Sequence, residues 1–342
     1  RADAAPLTRV EKLMLTTWVA YPTAIAIDLW FRIGWNWTLF QEPSRFLLVL
    51  PIFLLVRRVG FSQDMLKWGV FAGALGVAWW AYHQKFYLGF TRAGGGTSQL
   101  IAVFGDTSLM LGVLSVALFQ PQWRLQKRWL LLALLGLFCG VFASLVSGTK
   151  GGWISIPFLI WFMMDLVDNP TYKKRLVVLA GFACVAFLVW LFVPFIAEIV
   201  NVIPNAIYQY FVTGEIAEGS VGLRLALWHA AALIFWENPV FGSGPGSFNI
   251  QKDALAEKGM ISLLLVGDMG PHGLGPHSQL FNSLYEQGVV GAAMVYSIYV
   301  TFILYCRSHL ANNKALAATG ILLAVGFIDF GIAEVIWYFK CS

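Results

Sequence analysis

Charge is scarce in this sequence: Asp, Glu, Lys and Arg make up 12% of 342 residues, where a soluble domain carries about a quarter. That scarcity, set against 58% hydrophobic residues, excludes an ordinary water-soluble globule, because no single core hides so much apolar surface. Strand-like alternation of period two is missing as well, which sets closed β-barrels aside. Cys139, Cys184, Cys306 and Cys341 form no CxxC pair and share no ligand spacing with histidine, so neither a disulfide framework nor a zinc site is expected. No Asp-x-Asp pair occurs, so nothing points to a nucleotide-sugar transferase gripping a divalent metal. Repeats of 20–50 residues and matched inverted halves are also lacking, which weakens a transporter reading. Neither an initiator methionine nor a cleavable signal opens the chain, so incomplete termini are expected.

What is present is a series of apolar runs. They predict an all-α polytopic membrane protein with about nine spans, near 13–33, 44–56, 68–82, 100–119, 129–146, 152–167, 176–197, 279–305 and 315–337. The net charge of +5 does not imply nucleic acid, because the basic residues stand in short clusters between these runs. Arg1, Arg9 and Lys12, then Arg57, Arg58 and Lys67, then Arg124, Lys127 and Arg128, then Lys173, Lys174 and Arg175, then Arg307 and Lys314 occupy alternate loops. More than half of the 23 basic residues fall there, and the positive-inside rule assigns those loops to the cytoplasm.

The opposite face then holds the 34–43 and 83–99 loops, the Ser147–Gly152 turn and a long segment, 198–278. The expected organisation is residues 1–197 as N-terminal membrane helices, 198–278 as one large loop containing helices, and 279–342 as C-terminal membrane helices. Within that loop Ser220 is placed to cap a helix that runs to Trp236 and stops at Glu237-Asn238-Pro239. A glycine strip, Phe241-Gly242-Ser243-Gly244-Pro245-Gly246, follows; without a strand–turn–helix unit around it, it is not a dinucleotide fingerprint. His272 and His277 are five apart without the carboxylate and spacing of a zinc enzyme.

Three basic side chains stand out because charge reasoning puts them on one face: Lys150 in the Ser147–Gly152 turn, Arg224 on the apolar loop helix, and His277 just before a span. A cation beside an apolar element needs a partner, and a phosphate or pyrophosphate suits Lys and Arg. His277 precedes a helix whose positive N-terminal end disfavours a second positive charge on the ring, which suits a general base. Residue types alone leave a second reading open for each. Lys150 can mark an interfacial loop, Arg224 can snorkel to head groups, and His277 can be a polar tip at the water boundary. Arg45 and Arg92 are candidates to join an anion pocket, whereas Asp28, Asp106, Glu286, Asp329 and Glu334 are read as structurally paired.

The stretches Ser220-Val221-Gly222-Leu223-Arg224-Leu225-Ala226-Leu227-Trp228, Asn238-Pro239-Val240-Phe241-Gly242-Ser243-Gly244 and His277-Ser278-Gln279-Leu280-Phe281-Asn282-Ser283-Leu284-Tyr285-Glu286-Gln287-Gly288-Val289-Val290-Gly291 resemble the bacterial O-antigen ligase family. Its relatives are the O-antigen polymerases and the protein O-oligosaccharyltransferases. The resemblance extends from about residue 40 onward. It implies transfer of a glycan from undecaprenyl pyrophosphate to a lipid A core hydroxyl at the periplasmic face of the inner membrane, without metal or other cofactor. It also implies His277 as catalytic base and Arg224, Lys150, Arg45 and Arg92 as donor pyrophosphate ligands. Lys150 departs from the family, whose turn commonly offers Arg; lysine keeps the charge and loses the bidentate fork. The family's span number, about twelve, implies further helices upstream of Arg1. A polymerase, a protein-glycosylating transferase, or a lipid or polysaccharide transporter remain as alternatives.

Overall fold

The computed structural model describes residues 6–94, 101–123, 126–149, 151–164, 171–192, 194–217, 219–266 and 275–333. Lys150, His272 and Glu334 lie outside them, as do residues 95–100. Helix is the only regular structure among the described residues. The elements are α1 (Arg9–Arg32), α2 (Trp37–Ser44), α3 (Val49–Val59), α4 (Gln63–Tyr82), α5 (Ile101–Trp123), α6 (Lys127–Ser147) and α7 (Ile156–Met163). Then come α8 (Tyr172–Phe192), α9 (Pro194–Tyr208), α10 (Ser220–Glu237), α11 (Phe248–Glu257), α12 (Gln279–Ser308) and α13 (Lys314–Ala333).

Among the described residues, seven segments are long and apolar enough to cross a membrane: Arg9–Arg32, Trp37–Val59, Ile101–Gln122, Lys127–Ser147, Tyr172–Phe192, Gln279–Ser308 and Lys314–Ile332. The chain is an all-α polytopic membrane protein, with two fewer such helices than the apolar runs suggest. The run at 68–82 is helical, as α4, but its tryptophans and tyrosine, with Asp64 and Lys67, dilute its hydropathy. The run at 152–167 yields a short 3-10 turn, Gly151–Trp153, and the eight residues of α7.

The chain divides into two units. The first comprises Arg1–Thr17, Val49–Arg175 and Ile298–Ile336; the second comprises Trp18–Leu48, Leu176–Ser297 and Trp337–Ser342. In the first, α5 and α6 form the closest helix pair. Small residues permit it: a Cβ on Gly112 would sit 3.2 Å from the Gly140 Cα, so backbones replace side chains at the crossing. Met110, Val113, Leu114 and Ala117 of α5 continue this core to Leu159 of α7 and to Ala318, Leu322 and Phe330 of α13. Lys67, read from its loop as a topology signal, is buried instead. Its ammonium bonds Asp64 at 2.6 Å and lies 5.3–5.9 Å from the rings of Trp68, Phe119 and Trp129.

The second unit is built around α10. Ala226, Leu227, Ala230, Ala231 and Ile234 bury one side of this helix against Phe248 and Leu255 of α11, Leu265, and Tyr285 of α12. Gly219, not Ser220, is the N-cap residue, and Ser220 opens the helix without a side-chain cap.

Candidate functional site

In the first unit the chain after α4 tightens into a π-helical turn, His83–Tyr87, and folds back on the end of α6. Gln84 is buried and accepts from the Gly94 N–H at 2.7 Å, while Trp80 donates to the Gly94 carbonyl at 3.1 Å. This return strand of loop carries Arg92 to the Ser147–Gly152 turn, where its Nε donates to the Ser147 carbonyl at 2.7 Å. Gly148 ends α6 in the left-handed region, with φ 68°. Thr149 bonds the Ile101 carbonyl at 3.1 Å, and the Gly152 N–H donates to buried Asp106 at 3.0 Å. Asp106 is thus a structural acceptor, as its type and place suggest. Arg92 is exposed and stands at the turn that carries Lys150 in sequence.

In the second unit α10 and the head of α12 also meet at Trp228. The Trp228 indole donates to the Pro276 carbonyl at 2.8 Å and stacks on Phe281, with ring centroids 5.4 Å apart and planes 21° apart. Arg224 lies one turn before Trp228 on the same face of α10, and His277 directly follows Pro276. Two of the residues singled out by sequence, Arg224 and His277, are therefore carried by elements that touch, and both are half-buried. His277 is the non-glycine residue with positive φ, at 47°, among those described. Such a conformation costs a non-glycine residue roughly 1 kcal/mol or more, and surroundings that over-determine the backbone are needed to hold it. The Trp228 bond on one side and α12, opening at Gln279, on the other supply them. Replacing Trp228 with Phe keeps the stacking and removes the donor, so the expected stability loss is about 1 kcal/mol. If the bond positions His277, turnover falls by roughly tenfold, the effect of ~1.4 kcal/mol in the barrier. Unchanged turnover in the well-folded variant counts against that role.

Arg45 sits in the same unit, on the 3-10 turn Arg45–Leu48, but its guanidinium pairs with Glu42 and is 68% exposed. A second histidine, His229, accepts or donates at Nδ1 to the Tyr210 hydroxyl at 2.7 Å. Burial pushes the Tyr210 phenol up, so its proton stays on the oxygen. Among the described residues no three His, Cys, Asp or Glu side chains gather to hold a metal ion.

What sequence reasoning missed is the part that fixes the head of α12. This helix is broken at Gly288, with φ 66° and ψ −165°. The residues Pro239–Gly246 lie along the break as a run of turns. Val289 N–H donates to Pro239 O at 2.9 Å, Ser243 N–H to Tyr285 O at 2.7 Å, and Gly244 N–H to Glu286 O at 2.8 Å. Buried Glu286 accepts from Gly246 N–H at 2.9 Å, Asn282 at 3.0 Å and Tyr285 at 3.1 Å. Arg32, bonded to Asp28 at 3.0 Å, donates to the Gly242 carbonyl at 3.1 Å from the far side. The glycine strip is a clasp on a broken helix. The signal for it was present, since the Gly-x-Gly-x-Gly strip and the Glu286-Gln287-Gly288 stretch both belong to the motifs that carry the resemblance.

Residues 135–296 match the family model described as O-antigen ligase. The chain is also 23% identical over 299 residues to a protein of Haemophilus influenzae described as uncharacterized, spanning 85% of this chain and 72% of that protein. The matched region contains the Ser147–Gly152 turn, α10 with Arg224, the glycine strip, His277 and the broken half of α12.

Proposed function

We propose that the chain is a member of the O-antigen ligase superfamily, whose family model matches residues 135–296, and that it transfers a glycan from undecaprenyl pyrophosphate to a hydroxyl of the lipid A core oligosaccharide. The family supports a ligase- or polymerase-type glycosyl transfer. The observation that carries the reading is that α10 and the head of α12 come together at Trp228, one turn from Arg224 and one residue from His277, whose backbone is held at positive φ.

The proposed reaction is one in-line displacement in the inner membrane, at its periplasmic face. The acceptor oxygen forms a bond to the anomeric carbon as its proton passes to His277. The bond from that carbon to the pyrophosphate oxygen breaks, and the leaving pyrophosphate takes the electron pair. Arg224, with Arg45, stabilises the charge that grows on it. A single displacement inverts the anomeric configuration. Basic side chains neutralise the pyrophosphate in this scheme, so neither a metal nor a nucleotide takes part.

The test is reconstitution of the purified protein with lipid-linked glycan and lipid A core, followed by detection of glycan-capped lipid A. Formation of polymerised donor in place of capped core supports the polymerase, and transport without covalent transfer removes the enzyme reading. In the same assay Arg224→Ala is expected to raise the donor KM by roughly 10–100-fold, the loss of a charge-assisted hydrogen bond to an anion. An unchanged donor KM removes Arg224 from the pyrophosphate site.

A further inference from the structure

Beside the break in α12, within the second unit, lies a cavity of about 80 Å3, room for two or three water-sized groups. Its walls come from α1, the glycine strip and α12, and most are apolar, among them Ile25, Val290 and Met294. Three polar side chains interrupt them: Tyr21, Asp28 and Gln287. Gln287 is 7% exposed. Its side chain lies over Gly291, where any Cβ would collide with it, and so reaches the cavity that both residues line. Its amide N–H faces the Tyr21 phenol oxygen, and the amide oxygen Oε1 is buried without a donor. Asp28 gives one oxygen, Oδ1, to Arg32, while Oδ2 is buried and accepts nothing.

Buried polar atoms in native proteins find a partner in protein, water or ion, because leaving one unmade wastes its hydration. Here the orphaned oxygens are a carboxylate Oδ2 and an amide Oε1, both hard acceptors, with the Tyr21 phenol on the same wall. The charges around the clasp are uneven. Asp28 and Glu286 flank the strip, and Arg32 is the cation that the ion pairs of the described residues assign to it. Glu286, 1% exposed, is met among the described residues by three neutral donors. An ionisable group inside a membrane helix calls for a counter-charge.

We propose that this cavity binds a monovalent alkali cation, held by Asp28 Oδ2 and Gln287 Oε1, with the Tyr21 oxygen and water completing its shell. One carboxylate and neutral oxygens suit a singly charged ion. Magnesium, which loses water reluctantly and demands near-octahedral geometry, fits a wall with three polar groups poorly. Bound there, the ion ties α1 to α12 at the break and stabilises the clasp. The inference does not depend on the glycan-transfer reading, and its test contains no glycan.

The experiment is thermal unfolding of the purified, detergent-solubilised protein in sodium or potassium chloride, with choline chloride replacing the alkali salt at constant ionic strength. The expected result is a Tm that rises and saturates with one alkali cation and stays flat in choline. Gln287→Ala, which leaves the Asp28–Arg32 pair intact, should shift the half-saturating concentration up by at least tenfold; Gln287→Glu should shift it down. The two variants have opposite expected signs, so failure of one to fold leaves the other decisive. A Tm that is the same in alkali and choline salts overturns the proposal, as does a Gln287→Glu response equal to that of the wild type. A Tm that follows pH but not cation identity assigns the missing charge to a proton and overturns it too.

Discussion

His277→Asn is expected to fold as well as the wild type and to lose glycan transfer by roughly 100- to 10,000-fold, the range that a positioned acid or base contributes. Asparagine is the informative choice because it tolerates the left-handed region that His277 occupies at φ 47°, so the backbone of the Pro276–Ser278 corner is preserved. It can still donate a hydrogen bond to an acceptor hydroxyl but cannot take its proton near neutral pH. His277→Gly relaxes the corner further and is expected to be at least as stable in its folded core, and equally inactive. The pair separates chemistry from strain. If the asparagine variant transfers glycan at the wild-type rate, the imidazole is not the base, whatever its conformation. If it is inactive but unfolds at a lower temperature by several degrees, the loss is structural and His277 serves the corner. The measurement is the rate of capped lipid A formation beside Tm for each variant.

Arg224 and His277 stand out in the sequence as residue types while the contacts around them do not, and the difference follows from what each signal depends on. A lone cation next to an apolar helix is visible in the sequence, because the apolar helix is written in its own composition. Most of the membrane helices were visible for the same reason: α5, α6 and α13 are apolar along their length, and composition decides them. The misread cases are those where a tertiary neighbour decides. Lys67 looks like a loop charge until Trp68, Phe119 and Trp129 close over it. The glycines at 242, 244 and 246 show a turn-rich strip, but sequence cannot say which carbonyls their N–H groups will find. Trp228 reads as one more apolar residue on α10, and its bond to the Pro276 carbonyl joins residues 48 apart. Arg45 shows a neighbour that its type does not announce: Glu42, three residues earlier at the end of α2, pairs with its exposed guanidinium.

The break in α12 should be the most sensitive backbone position in the second unit. Gly288 has φ 66° with ψ −165°, a region essentially confined to glycine, where any side chain costs about 1–3 kcal/mol from local strain alone. A Cβ there would also stand on the Val240 carbonyl and meet the Phe241 N–H, so the strip would have to lift from the helix. Lifting it breaks the bonds from Val289, Ser243 and Gly244 and leaves Glu286 buried without the Gly246 N–H. Gly288→Ala is therefore expected to lower unfolding stability by more than ~3 kcal/mol or to prevent accumulation of folded protein. Gly181→Ala in α8 is the matched control: its Cβ meets nothing within 4 Å, and an alanine in a helix is expected to be neutral or to add up to ~1 kcal/mol. Denaturant or thermal unfolding of both variants decides the matter. Equal stability would mean that the strip does not clasp the broken helix, and the positioning of His277 at the head of α12 would then need another origin. If instead Gly288→Ala folds but its strip becomes accessible to amide exchange, the clasp has opened without unfolding the unit, and transfer should fall with it, since the first two turns of α12 lose the contacts that fix their direction.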